Sequence, residues 1–167
     1  MIKEGKPVNS DVAFCGGFTW MALYEKEFTR AYAHEMFNVA DIDGCDEITM
    51  GDINKEMAIN NFTILIAHFI GIDNAGHYYQ NVAHPDLERK ILDAEALIHN
   101  VITQMDNDTV VLIFGDHGMT DNGGHGGETE GELRTILFTY AKGGLPIKAH
   151  PNKNIVKAFN SLNKDIK

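Results

Sequence analysis

The stretch Thr109-Val110-Val111-Leu112-Ile113-Phe114-Gly115-Asp116-His117-Gly118-Met119-Thr120-Asp121-Asn122-Gly123-Gly124-His125-Gly126-Gly127 decides the reading of this chain. Its first six residues are apolar and rich in β-branched side chains, the signature of a buried strand. The run then enters a glycine-rich loop carrying Asp116, His117 and His125. In open α/β sheets, ligands collect beyond the carboxyl ends of strands. Carboxylates and imidazoles placed there are the donors that borderline divalent cations such as zinc and manganese accept.

A second strand-to-loop passage repeats the pattern. Phe62 to Phe69 reads as a buried strand ending at Gly71, and Asp73-Asn74-Ala75-Gly76-His77 follows it. Asp73 and His77 are four residues apart, so one helical turn puts both on one side. If both strands belong to one parallel sheet, their loops open on the same edge. Asp73 and His77 then meet Asp116, His117 and His125 in one crevice. An Asp-x-x-x-His spacing alone recurs by chance. Two such loops at strand ends, holding three of the eight histidines, point to a metal site. His68 reads as a satisfied core or near-site histidine, and His34, His84, His99 and His150 as surface or loop residues.

The rest of the chain supplies an α/β frame. Val12 to Cys15 is a short strand, Thr19 to Phe28 a helix start, and Arg30 to Asp46 an irregular loop. Glu47 to Ile59 and Pro85 to Met105 read as helices. In the second, Leu87, Ile91, Ala94, Leu97, Ile98, Val101 and Ile102 form one apolar stripe, with Pro85 in its first turn. Thr135 to Tyr140 is a further strand and Asn154 to Leu162 a short C-terminal helix. Alternating strands and helices predict a parallel sheet with helices on both faces.

The 167 residues suffice for one domain with a real core, and 44% hydrophobic with 23% charged residues fits a globular chain. A net charge of −10 argues against nucleic acid as a partner. No stretch approaches the roughly 18 apolar residues of a membrane span. Cys15 and Cys45 form no metal-type or redox pair and read as small buried residues, with a disulfide between them as the alternative. Asn61-Phe62-Thr63 and Asn107-Asp108-Thr109 are glycosylation sequons.

Three segments together resemble a known family. These are Ala67-His68-Phe69-Ile70-Gly71-Ile72-Asp73-Asn74-Ala75-Gly76-His77, then Gly115-Asp116-His117-Gly118-Met119-Thr120, then His125-Gly126-Gly127. They are similar to the alkaline phosphatase superfamily and, more closely, to the lumenal catalytic domain of GPI ethanolamine phosphate transferases. Phe37-Asn38-Val39-Ala40-Asp41-Ile42-Asp43 resembles a segment of the third-step (PIG-O) type. The likeness runs from about Phe14 to Tyr140.

The resemblance implies an alkaline-phosphatase-like core and two divalent metal ions, usually zinc. Asp73, His77 and His125 would hold one ion, and Asp116 and His117 would belong to the shell of the other. It also implies transfer of phosphoethanolamine from phosphatidylethanolamine to a mannose of the GPI glycolipid precursor. In that family a nucleophilic threonine carries the group, and the enzyme works on the lumenal side of the endoplasmic reticulum membrane. The family's Gly-Asp-Asp-Thr-Trp run is matched here by Gly16-Gly17-Phe18-Thr19-Trp20, without its two carboxylates. The upstream aspartate and the nucleophilic threonine have no counterpart, and neither do the membrane spans.

The expectation is therefore a single, incomplete catalytic domain over residues 1–167, lacking its N-terminal strands and its nucleophile. Membrane association would come only through parts absent from this chain. Two other readings stay open: another phosphodiesterase of the same superfamily, or an inactive metal-binding paralogue.

Overall fold

A computed structural model describes residues 11–36 and 38–144. It divides into two compact units. One comprises the residues up to Met105 together with Ile113–Phe138, and the other Asp106–Leu112 with the residues from Thr139 on. All five expected site residues belong to the first unit.

The first unit is built on three parallel strands. These are β1 (Val12–Gly17), β2 (Arg30–His34) and β3 (Ile64–Ala67), in the order β2-β1-β3. In register, Ala13 faces Arg30 on one side and Leu65 on the other, and Gly17 faces His34. A central parallel strand is covered on both faces, which explains the unbroken apolar run of β1. Val12, Ala13 and Cys15 are 0% exposed and Phe14 is 2%. Around the sheet stand α1 (Phe18–Leu23), α2 (Gly44–Ile59), α3 (Gly71–Tyr79), α4 (Pro85–Gln104) and the single turn α5 (Glu130–Leu133). The parallel α/β core expected from sequence is what forms.

Three local expectations are corrected. Arg30 to His34 is a strand, not loop, because β1 needs a neighbour on that side and Thr29 already ties in through its N–H to the Val12 carbonyl (2.8 Å). The helix expected at Glu47 begins at Gly44, whose N–H is taken by Asp41 Oδ1 at 2.7 Å. Strand β4 (Val111–Phe114) does not join the parallel sheet. It pairs with β5 (Leu137–Tyr140) in a separate two-stranded sheet. The C-terminal helix expected over 154–162, along with His150, lies outside the described residues.

Helix α2 buries polar side chains as well as apolar ones. Met50 and Ile53 pack on Cys15, with Tyr32, Leu65, Leu97 and Val101 around them. The same helix buries Asp46, Asp52 and Glu56. Buried charge is tolerated only where it is paired and hydrogen-bonded. Each acid has its cation, Lys90 with Asp46 (2.8 Å), Lys55 with Asp52 (2.7 Å) and Arg30 with Glu56 (2.8 Å), and His34 Nε2 lies 2.6 Å from Asp52 as well. His34, read from sequence as a surface or loop residue, is thus a strand residue paired with a buried carboxylate. Both cysteines are free and buried, with the Cys15 thiol pushed up to about 12 by burial and by Asp52 and Glu56.

Candidate metal centre

Helix α3 carries the first two site residues, and its start is fixed from below. The N–H groups of Ile70 and Gly71 both donate to Asp46 Oδ1, at 3.0 and 3.1 Å. They are first-turn donors with no partner inside the helix, and the carboxylate satisfies them. Lys90 of α4, 3% exposed, neutralises the other oxygen of Asp46. Asn74 is 2% exposed and donates from Nδ2 to the Asp41 carbonyl at 3.1 Å. Asp73 and His77, one turn apart, share a neighbouring face of the helix and are only partly buried.

The glycine-rich loop after β4 docks onto α3 through two glycines. Gly123 adopts φ +77°, and a Cβ there would overlap the carbonyl of Gly76. A Cβ on Gly76 would in turn overlap the Met119 thioether. Internal hydrogen bonds hold the loop: Thr120 N–H to the Gly124 carbonyl and Gly123 N–H to the Thr120 carbonyl, both 2.9 Å. Beyond His125 the chain is ordered by Glu132, which is 8% exposed. Its carboxylate accepts from the Gly127 N–H (2.9 Å), the Thr129 N–H (3.1 Å) and the Thr129 hydroxyl. Those bonds, the Thr129 hydroxyl first, hold Glu132 below the usual carboxylate range.

This close approach brings His77 and His125 together. Their Nε2 atoms lie 3.0 Å apart. Asp73 reaches both: Oδ1 is 3.3 Å from His125 Nε2, and Oδ2 is 3.5 Å from His77 Nε2. Tetrahedral zinc with bonds of about 2.0–2.2 Å places its donor atoms roughly 3.3–3.5 Å from one another. The Asp73 separations, 3.3 Å from Oδ1 to His125 and 3.5 Å from Oδ2 to His77, fall in that range, and the two imidazole nitrogens at 3.0 Å are somewhat closer. Asp73 Oδ1 is also a buried oxygen with no hydrogen-bond partner among the described residues. Such an atom calls for an explanation, and an ion facing it is one. The donor set therefore fits a divalent cation. Among the described residues it is the group of three metal-ligating side chains whose ligand atoms gather within 4.8 Å.

Asp116 and His117 stand beside that group without completing a second one. The His117 ring stacks on His125, with centroids 3.8 Å apart and planes at 21°. His117 Nδ1 donates to the Gly118 carbonyl at 2.9 Å, which leaves Nε2 as the free lone-pair atom. Asp116 is exposed. Its Oδ1 accepts the His117 N–H at 3.1 Å and lies 3.8 Å from His117 Nε2. The five expected residues share one neighbourhood even though β3 and β4 belong to different sheets.

Three contributors were missed in the sequence. Asp46 and Lys90 are 44 positions apart and meet only in the fold, whereas Thr129-Glu130-Gly131-Glu132 has the spacing of a capping box, a signal that could have found Glu132. His68 differs from its expected satisfied state. Its Nδ1 is buried without a hydrogen-bond partner among the described residues. Burial lowers the pKa of its imidazole, against the opposing charges of Asp116, Asp46 and Asp73.

A parallel α/β core with an Asp/His cluster beyond its strands is an arrangement able to hold a divalent cation. Residues 7–157 match the family described as type I phosphodiesterase / nucleotide pyrophosphatase, and the chain belongs to that family. Among curated proteins it is similar to the human "GPI ethanolamine phosphate transferase 3, catalytic subunit", at 35% identity over 84% of this chain. It is likewise similar to "GPI ethanolamine phosphate transferase 3" of Saccharomyces cerevisiae, at 33% identity over 84% of this chain. "GPI ethanolamine phosphate transferase 2" of Kluyveromyces lactis matches at 30% identity over 96% of this chain. The chain spans 13%, 14% and 20% of these relatives' lengths. The resemblance drawn from the three sequence segments is borne out by these relatives.

Proposed function

We propose that residues 1–167 form part of the catalytic domain of a metal-dependent ethanolamine phosphate transferase of GPI-anchor biosynthesis. The group would pass from phosphatidylethanolamine to a mannose of the GPI precursor, on the lumenal side of the endoplasmic reticulum membrane. The relatives' printed activity supports this reading. The single structural observation that carries it is the Asp73–His77–His125 triad, whose donor spacing suits a divalent ion.

Asp73, His77 and His125 would hold one ion, which we take to be zinc. Asp116 and His117 would contribute to a second, completed by groups from outside the five. Such ions neutralise phosphoryl oxygens and lower the pKa of an attacking hydroxyl. The chain's own residues do the positioning. Asp46 and Lys90 fix the start of α3, Gly76 and Gly123 seat the loop, and Glu132 orders the backbone after His125. Asn61 and Asn107 lie in exposed stretches, open to the glycans that a lumenal location would add.

A chimera tests the proposal. Residues 11–144 replace the matching span of the yeast transferase 3, whose remaining sequence is kept. The reading predicts zinc-dependent transfer to a GPI acceptor, lost with His77→Ala or His125→Ala. A chimera that binds zinc but only hydrolyses phosphodiesters, with no need of the acceptor, would favour a different phosphodiesterase of the family. Zinc binding without any turnover would favour an inactive paralogue.

A further inference from the structure

Asn122 and Gly123 form the one Asn-Gly pair in the sequence, at the turn that carries His125 to His77. Asparagine before glycine is a labile setting for a side-chain amide, because no Cβ on the next residue hinders its backbone nitrogen from approaching the side-chain carbonyl. Asn122 is exposed, while Gly123 beside it is buried. The Gly123 N–H donates to the Thr120 carbonyl at 2.9 Å, its φ is +77°, and a Cβ on it would run into the Gly76 carbonyl. The Asn122 amide is held as well. Its Oδ1 accepts from the Thr120 hydroxyl at 2.5 Å, and the same hydroxyl oxygen accepts the Gly124 N–H at 3.0 Å.

Deamidation needs the atom that the fold has tied down. The Gly123 nitrogen loses its proton and attacks Asn122 Cγ. The new N–Cγ bond closes a succinimide ring, and the Cγ–N bond of the side-chain amide breaks, releasing ammonia. Water then opens the ring at either carbonyl, giving aspartate or isoaspartate. While its N–H is bonded to Thr120 and its backbone lies on Gly76, the Gly123 nitrogen is turned away from Cγ. The reaction waits for the loop to open, and its rate is scaled down by the small population of the open form.

We propose that Asn122 is a deamidation site whose rate is set by the docking of Gly123 on Gly76. Isoaspartate at position 122 routes the main chain through the side-chain carbon and adds a methylene ahead of Gly123. His125, two residues further on, then loses its place against His77 and Asp73, so the change disables the cluster permanently. Docking control stands on the geometry of residues 76 and 120–124. One consequence rests on the metal reading: a cation held by Asp73, His77 and His125 has to leave before the loop opens. Zinc at about 100 times its dissociation constant should therefore slow the reaction about 100-fold.

The chain is kept at mildly alkaline pH, and the peptide containing Asn122 is followed by mass spectrometry for amide-to-acid conversion. Electron-transfer fragmentation separates isoaspartate from aspartate, and hydrogen exchange of the Gly123 amide gives the opening equilibrium. The proposal predicts that the folded chain deamidates more slowly than the guanidinium-unfolded chain, by the same factor that protects the Gly123 amide. Gly76→Ala, whose Cβ meets the Met119 thioether, should bring the rate most of the way to the unfolded one. The isoaspartate fraction should bind zinc more weakly than the parent. The exchange comparison stands even if Gly76→Ala fails to fold. A folded chain that deamidates as fast as the unfolded one would overturn the proposal. So would a folded Gly76→Ala with the parent's rate, or no conversion in the unfolded chain. A rate that follows Gly123 protection but ignores zinc would support docking control and contradict the metal reading of the triad.

Discussion

Gly123 and Gly76 meet backbone to backbone, with Gly123 at φ +77° and no space for a methyl group between it and the Gly76 carbonyl. That contact places His125, two residues after one glycine, against His77, one residue after the other, with their Nε2 atoms 3.0 Å apart.

Gly123→Ala therefore perturbs stability and site together. The left-handed backbone alone costs about 1–3 kcal/mol for a residue with a Cβ, and the overlap with Gly76 adds to it. Denaturant melts should show at least that loss. Zinc titration of the folded fraction should show weaker binding, because the loop must lift from α3. Unchanged zinc affinity would mean that the loop finds its place without this contact.

The buried pair beneath α3 yields a second expectation. Asp46→Ala leaves the Lys90 ammonium buried, with Asp43 3.4 Å away as its remaining acid, and frees two N–H groups at the helix start. Removing one member of a buried ion pair costs roughly 3–5 kcal/mol. Asp46→Asn, which retains an accepting oxygen, should recover part of the loss. Equilibrium unfolding of the two variants decides this.

Acid should weaken the fold through Glu56. Bonding to Arg30 first, and then to Tyr32, holds its carboxyl below the ordinary value of 4.5 against the opposing effect of burial. The unfolded chain thus takes up this proton at a higher pH than the native one. The stabilisation is complete above about 4.5 and is lost as pH falls through the lower native value. Glu56→Gln should cost roughly 2–3 kcal/mol at neutral pH and flatten the decline of stability in acid. A decline of unchanged slope in the variant would assign acid sensitivity to other carboxylates, such as Asp43 beside Arg89.

Glu132→Ala should act on the site more than on the fold. Its carboxylate collects three donors from the backbone and hydroxyl just past His125. Loss of groups that orient metal ligands typically reduces affinity about 10–100-fold. Glu132→Gln, which keeps one accepting oxygen, should fall between the parent and the alanine variant in a zinc competition assay.

The cluster of acids and histidines was legible because its logic is local. Asp73 and His77 are one helical turn apart, and Asp116, His117 and His125 share a single loop after an apolar strand. Strand β1 was legible for a similar reason, since burial on both faces writes an unbroken apolar run. Strand β2 was not, because Arg30 and His34 are polar strand residues whose partners, Glu56 and Asp52, come from α2. The pairing of β4 with β5 was equally hidden, since an apolar run carries no record of its neighbour, and Leu112 and Phe114, read as buried, are exposed. Support for the site hid in the same way. Asp46 and Lys90 read as ordinary surface charges until the fold brings their partners to them.

Zinc titration of the chain, followed through its histidine ring resonances, tests the central claim most directly. The account predicts one saturable ion that shifts His77 and His125 together, with affinity reduced more than about 100-fold by Asp73→Ala, beyond the range expected for an indirect contact. Binding that leaves His77 and His125 unmoved, or that survives Asp73→Ala intact, would contradict it.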